Sequence, residues 1–299
     1  MKKIYRITLA AILLATGIQS WAGNNGVGTF SIKTPNFVRP LVERWITEYS
    51  KVAPDVHFLL ANGSVKPSEA DINLVLDSNQ GSTNKENPVV YFGQYAILPV
   101  TASTSDAARI LTKKKLNESK LKKLFFIVDE FDDSEEKDKI NQQVVIYSGS
   151  GSQSIAQAYA SYFGLNSTSF KGKRISGDDA FLNTAINRDP QGVTFNALSN
   201  IFDLQSRKLK NGLTILPLDV KKSEAGIFAS TANIDNVITT LEQDKIEGIP
   251  VERLGFRYSG KSEAVNQFLN WILTVGTGYN HQYGILSLDN KILTAQLNK

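Results

Sequence analysis

Apolar and polar positions along the chain alternate in two registers, one suited to strands and one to helices. Residues 29–32 read as a strand, after which Leu41, Val42, Trp45, Ile46 and Tyr49 recur on one face of a helix. Thr34 is the expected N-cap of that helix and Pro35 its expected first residue. Apolar runs at 56–61, 72–76, 89–92 and 96–100, separated by polar loops, predict further strands. Residues 143–147 predict another strand, followed by Ser148-Gly149-Ser150-Gly151-Ser152 and a helix. That helix turns Ile155, Ala156, Tyr159, Tyr162 and Phe163 inward and closes at Gly164. The stretch 111–126, with six lysines around spaced leucines, predicts one or two amphipathic surface helices. Residues 191–195 read as a turn and strand, and 263–273 as a helix burying Val265, Phe268, Leu269 and Ile272. Strands alternating with helices predict an α/β fold with mainly parallel sheets.

The first 22 residues change the picture of where the chain works. Lys2, Lys3 and Arg6 precede an apolar stretch at 7–18 and then Ser20-Trp21-Ala22, the order expected of a cleavable signal peptide cut after Ala22. Export to a periplasm follows as an expectation. The apolar stretch is short of a bilayer span and no later run is longer, so membrane insertion of the mature chain is not expected. With no cysteine, neither lipoprotein acylation nor a disulfide is expected, and buried area must supply stability. The formal charge of +4 includes three basic residues of the leader and no acidic ones, leaving +1 on the mature chain. Bulk electrostatics therefore argue neither for nucleic acid nor for an anionic membrane as partner. A charged ligand must be caught locally.

Candidate chemistry lies in the loops. The Ser148–Ser152 turn between strand and helix offers backbone N–H groups, two glycines and the hydroxyls of Ser148, Ser150 and Ser152, which suits an oxyanion and equally a Ser-capped helix. Asn62-Gly63-Ser64 reads as a donor loop or as a plain turn. Asp71 either caps the strand at 72–76 or meets a ligand. The acidic run 129–138 lacks the central glycine and ligand spacing of a calcium loop and reads as a solvated excursion. Only His57 and His281 are available as imidazole bases, and His57, inside an apolar run, is expected to be buried and structural. No catalytic constellation, metal site or cofactor is expected.

Taken in order, these pieces resemble the phosphate-type solute-binding proteins of ABC transporters. The likeness is carried by 31–35 with its helix, Ala53-Pro54-Asp55-Val56, Gly63-Ser64, Ala70-Asp71-Ile72, Ser150-Gly151-Ser152 and 191–195. It continues in Ile249-Pro250, the helix at 266–271 and the stretch 284–288. The resemblance implies a periplasmic-binding-protein-like fold of two α/β lobes joined by two hinge strands, with a solute held between them. One lobe would take 23–100 plus 254–299 and the other 101–253. Thr34, Ser64, Ser150, Gly151 and Ser152 would donate to a tetrahedral oxyanion, phosphate first, and Asp71 would accept the proton of a hydrogen phosphate. A membrane permease or sensor would be the partner of a monomeric binding protein. The family's arginine before its Ser-Gly-Thr loop has no counterpart in Val145-Ile146-Tyr147-Ser148, which leaves Lys33 as the candidate cation. Loss of that arginine also motivates an alternative, a two-lobed interaction protein without a small ligand. A hydrolase is the third reading.

Overall fold

The computed structural model describes residues 28–79, 89–128, 143–151 and 153–297. The expected signal peptide, the acidic run 129–138 and Ser152 lie outside the described residues.

The expected strand at 29–32 is β1 (Gly28–Lys33), which pairs in parallel with β2 (Val56–Leu60) and β3 (Ile72–Leu76). Helix α1 (Arg39–Tyr49) buries Leu41, Val42, Trp45 and Tyr49 against this sheet. It starts later than the sequence predicts. Thr34 does not cap it and Pro35 is not its first residue, because Pro35–Val38 forms a turn that buries Phe37 and Val38, and Pro40 takes the first-turn position instead. His57 is also not where it was expected. It lies on the exposed face of β2, because Val56 and Phe58 take the inward positions of the alternating strand.

The runs at 89–92 and 96–100 form one strand, β4 (Val90–Ala102). Its first half pairs antiparallel with β9 (Val251–Tyr258), from Val90↔Phe256 to Ala96↔Val251. The second half, from Ile97↔Ala197 onward, pairs with β7 (Gly192–Ala197) and then with β8 (Leu213–Ile215). β4 thus passes from one lobe to the other, and the chain returns at Pro250 into β9. Beyond the switch, β5 (Val145–Gly149) lies parallel to β7 and to β6 (Lys173–Ile175). Parallel ladders make up the outer parts of each sheet, and the hinge strands contribute the antiparallel ones because they run back against their neighbours. The chain is an α/β protein with the two-lobed periplasmic-binding-protein-like fold.

The lysine-rich stretch divides into α2 (Asp106–Leu111), capped by Ser105, and α3 (Glu118–Phe125), capped by Asn117. Next come α4 (Ala156–Tyr162), α5 (Ala180–Arg188), α6 (Leu198–Ile201), α7 (Ile234–Gln243), α8 (Glu263–Thr274) and α9 (Asn290–Leu297). Each lobe has its own aromatic core. In the first, Phe58 stacks on Phe268 at 4.0 Å and Trp45 meets Phe92 edge-on at 5.0 Å. In the second, Tyr159 stacks on Phe195 at 4.2 Å. Each such ring contributes about 1.5–3 kcal/mol through burial alone. These two cores hold rigid the loops that face each other across the boundary.

Candidate binding cleft

On the first lobe the strand ends deliver Lys33 and Thr34, both buried. The Lys33 ammonium turns onto the loop after β2 and donates to the carbonyls of Asn62 at 3.0 Å and Gly63 at 3.2 Å. Thr34 Oγ1 donates to the Pro35 carbonyl at 3.1 Å. Ser64 donates from Oγ and from its backbone N–H to Asn62 Oδ1, at 2.6 and 3.1 Å, so this segment has the geometry of an Asx turn. Asp71 is exposed, and its Oδ2 accepts the Ser31 N–H and hydroxyl, both at 2.8 Å. It ties β1 to the start of β3.

The other end of β3 points to the hinge, since Leu76 pairs with Leu254 whereas Ile72 pairs with Tyr258. There stands Asp77. Its carboxylate accepts the Tyr91 hydroxyl at 2.6 Å and the Arg253 guanidinium at 2.7 and 3.0 Å, with Arg253 lying over the Tyr91 ring. Burial, and then the bond to Asp77, push the Tyr91 phenol up to about 12. Beside it Glu252 accepts the Ser78 N–H at 3.1 Å, and burial raises its carboxyl above the ordinary range.

On the second lobe β5 ends in the Ser-Gly turn. Ser148 is fully buried and its hydroxyl has no hydrogen-bond partner among the described residues. Ser150 gives both its N–H, at 3.0 Å, and its hydroxyl, at 3.2 Å, to the Ile175 carbonyl. Gly151 lies against the 175–177 turn, where an added Cβ would come within 3.3 Å of the Gly177 carbonyl. At the start of the helix that follows, a carboxylate is already in place. Asp179, 6% exposed, accepts the Ile155 N–H at 2.9 Å and the Ser154 hydroxyl at 2.7 Å. Asn196 Nδ2 holds the Asp179 backbone by donating to its carbonyl at 2.8 Å. Burial pushes the Asp179 carboxyl up to about 6, against the two donated hydrogen bonds that pull it down.

The two sides meet. Asn36 Nδ2, in the turn after Thr34, donates to Asp178 Oδ2 at 2.8 Å, and Ser199 Oγ donates to the Phe37 carbonyl at 2.9 Å. Lys33 and Thr34 on one side, and Ser150 and Gly151 on the other, therefore flank the same junction. Ser64 adjoins it through Lys33 and the 61–63 turn. Asp71, at the start of β3 beside the end of β1, has its Oδ2 engaged by Ser31. Sequence reasoning missed Asn36, Asp77, Asp178 and Asp179. Ser176-Gly177-Asp178-Asp179 ahead of a helix was a visible turn signal, and Asp77 follows an apolar run as plainly as Asp71 precedes it.

His281 Nε2 approaches both Glu242, at 2.8 Å, and Ser287, at 3.0 Å, so one nitrogen serves acid and hydroxyl and the ring does not relay between them. Among the described residues no group of three His, Cys, Asp or Glu side chains could hold a metal ion, and no helix is long and apolar enough to cross a membrane.

Two α/β lobes linked through β4 and β9 define a two-lobed fold, and comparison with solved structures agrees. The chain is similar to a protein from Clostridium perfringens described as a phosphate ABC transporter substrate-binding protein with bound phosphate. That likeness has a TM-score of 0.57 and 12% identity, covering 88% of this chain and all of the other. An ABC-type phosphate transport receptor from Vibrio cholerae is similar at TM-score 0.57 and 11% identity, over 87% of this chain and all of that one. The regulatory domain of Synechocystis CcmR in complex with 2-PG is similar at TM-score 0.50 and 13% identity, over 83% and 97%. No family model and no curated protein matches the sequence. At such identities the likeness establishes the fold, and the fold serves transport receptors and regulatory domains alike.

Proposed function

We propose that the chain is an exported two-lobed solute-binding protein that captures a small oxyanion, phosphate first, for a membrane transporter or sensor. The observation that carries this is the Asn36–Asp178 junction, where the Lys33–Thr34 and Ser150–Gly151 turns come together from opposite lobes. We place the lobe boundary at the Ala96–Ile97 switch in β4 and at Pro250, in each case a few residues before the limit the sequence suggests. Ser148, with its unshared hydroxyl, and Ser150 and Gly151 are the donors we assign on the second lobe. Lys33 and Thr34 are those on the first, Ser64 lends support through the neighbouring turn, and Asp71 is a strand tie outside the site.

An arriving oxyanion must contend with Asp179, whose carboxylate already holds two of the donors. Repulsion between like charges a few ångströms apart is worth several kcal/mol at an effective dielectric of about 20. Protonation of Asp179 as pH falls through about 6 removes that repulsion and leaves a hydrogen that can be donated to the ligand. Oxyanion binding is therefore expected to tighten on acidification.

The same carboxylate favours a second reading, in which the cleft is sealed by its own groups and the molecule serves as an interaction protein. Calorimetric titration of the mature protein with phosphate and sulfate separates the two. Saturable one-to-one binding that weakens in Ser150→Ala supports capture, and silence across both anions from pH 5.5 to 8 supports the sealed cleft.

A further inference from the structure

We propose that Arg207 is a latch that fixes how the two lobes sit against each other. Arg207 has φ 61°, the only positive φ outside glycine among the described residues. It occupies the left-handed position of a turn closed by the Phe202↔Leu209 bridge, with its N–H donating to the Asp203 carbonyl at 2.9 Å. The Asp203 carboxylate builds the same turn by accepting the N–H groups of Gln205 and Ser206. Glycine or asparagine would fill this position at least cost, and an arginine there is strained. Something must offset that strain.

The guanidinium does so. It donates from Nη2 to the His281 carbonyl at 2.7 Å and from Nη1 to the Gln282 carbonyl at 2.9 Å. Asp235, at the start of α7, fixes its orientation through Nη2 at 2.6 Å and Nε at 3.2 Å. The Arg207 turn and α7 form one body, since Ile234 N–H donates to the Arg207 carbonyl and Lys208 bridges Asn233.

The accepting carbonyls belong to the other lobe. They end the 3-10 segment Gly276–Tyr283, which is anchored there by Trp45 Nε1 donating to the Gly276 carbonyl at 2.7 Å and by Asn280 Nδ2 donating to Phe92 O at 3.1 Å. A second contact runs alongside. Glu242, near the end of α7, accepts the Ser287 N–H at 2.5 Å and meets His281 Nε2 at 2.8 Å. Between them Gly284, at φ 74°, lets the two backbones touch, since an added Cβ would lie 3.1 Å from Ser199 N. Separation of the lobes must break these charge-assisted bonds whether or not a solute is present. The latch rests on the fold and holds whatever the cleft binds.

The chain has no cysteine, so Lys66→Cys on one lobe and Lys113→Cys on the other can be spin-labelled without background. Pulsed EPR then reads the interlobe distance in the ligand-free protein. Arg207→Gly keeps the turn and removes the guanidinium. It is expected to raise the population at longer distance on the order of tenfold, with far-UV circular dichroism unchanged. Asp235→Asn, which loosens the arginine without removing it, is expected to give a smaller change in the same direction. A folded Arg207→Gly protein with the parent distance distribution overturns the latch, even if its Tm falls. Should Arg207→Gly not fold, parent distances in both Asp235→Asn and Glu242→Gln overturn it equally.

Discussion

The turns after β1 and β5 have the same plan, strand, polar loop, helix, yet they meet the cleft in opposite electrostatic states. After β1 the loop keeps a buried cation, Lys33, held by two carbonyls, with no carboxylate among the described residues bonded to it. After β5 the loop and the start of its helix hold the buried carboxylate of Asp179, delivered from 24 residues downstream of Ile155. One turn can attract a negative guest and the other already has a negative occupant. A local motif sets the hydrogen-bond donors, and a distant residue decides whether they are free.

The largest expected effect comes from crowding the second turn. Gly149→Ala would set a Cβ 2.2 Å from both Asp179 Oδ1 and Ser154 Oγ, and should cost about 3 kcal/mol or more by urea denaturation. Next is the pH dependence. Asp179 titrates near 6 when folded against an ordinary 3.8, so between these values the folded protein holds a proton that the unfolded chain has released. Its contribution to stability is fully present below about pH 4 and is lost as pH rises through about 6, a change on the order of 3 kcal/mol. Asp179→Asn should remove that difference. Glu252, raised in the same direction, is common to both proteins and cancels in the comparison. On the first turn, Lys33→Met strands the Asn62 and Gly63 carbonyls and should cost about 2 kcal/mol. Asp71→Asn, at an exposed tie to Ser31, should cost less than about 1 kcal/mol and leave anion binding unchanged.

These contrasts mark what the sequence could and could not convey. Strands β1, β2, β3 and β5 and helix α8 fall where period and turn residues place them, because each element buries one face of its own. The sequence of the 13-residue β4 suggests two strands, since Gly93-Gln94-Tyr95 looks like a break. That glycine instead admits the C-terminal segment, with Leu286 O and Asn280 Nδ2 within 3 Å of where a Cβ would stand. The stretch 198–262 shows no plain period, and there the structure builds α6, β8, α7 and β9 from short elements that depend on tertiary contacts. For the cleft, the Ser-Gly and Lys-Thr turns were legible as donors. The partners that occupy them were not, because Asp179 and Asn36 reach them only through the fold. Asp71 and Asp77 flank the two ends of β3 plainly in the sequence, but only the pairing of β3 with β9 shows that Asp77 meets Arg253 and Tyr91.

Asp179 is the hinge of the whole account, and its influence on anion capture can be measured directly. Phosphate affinity at pH 7.5 should rise at least tenfold in Asp179→Asn, and parent affinity should rise toward that of the variant as pH is lowered to 5.5. Equal affinities in the two proteins at both pH values would contradict it.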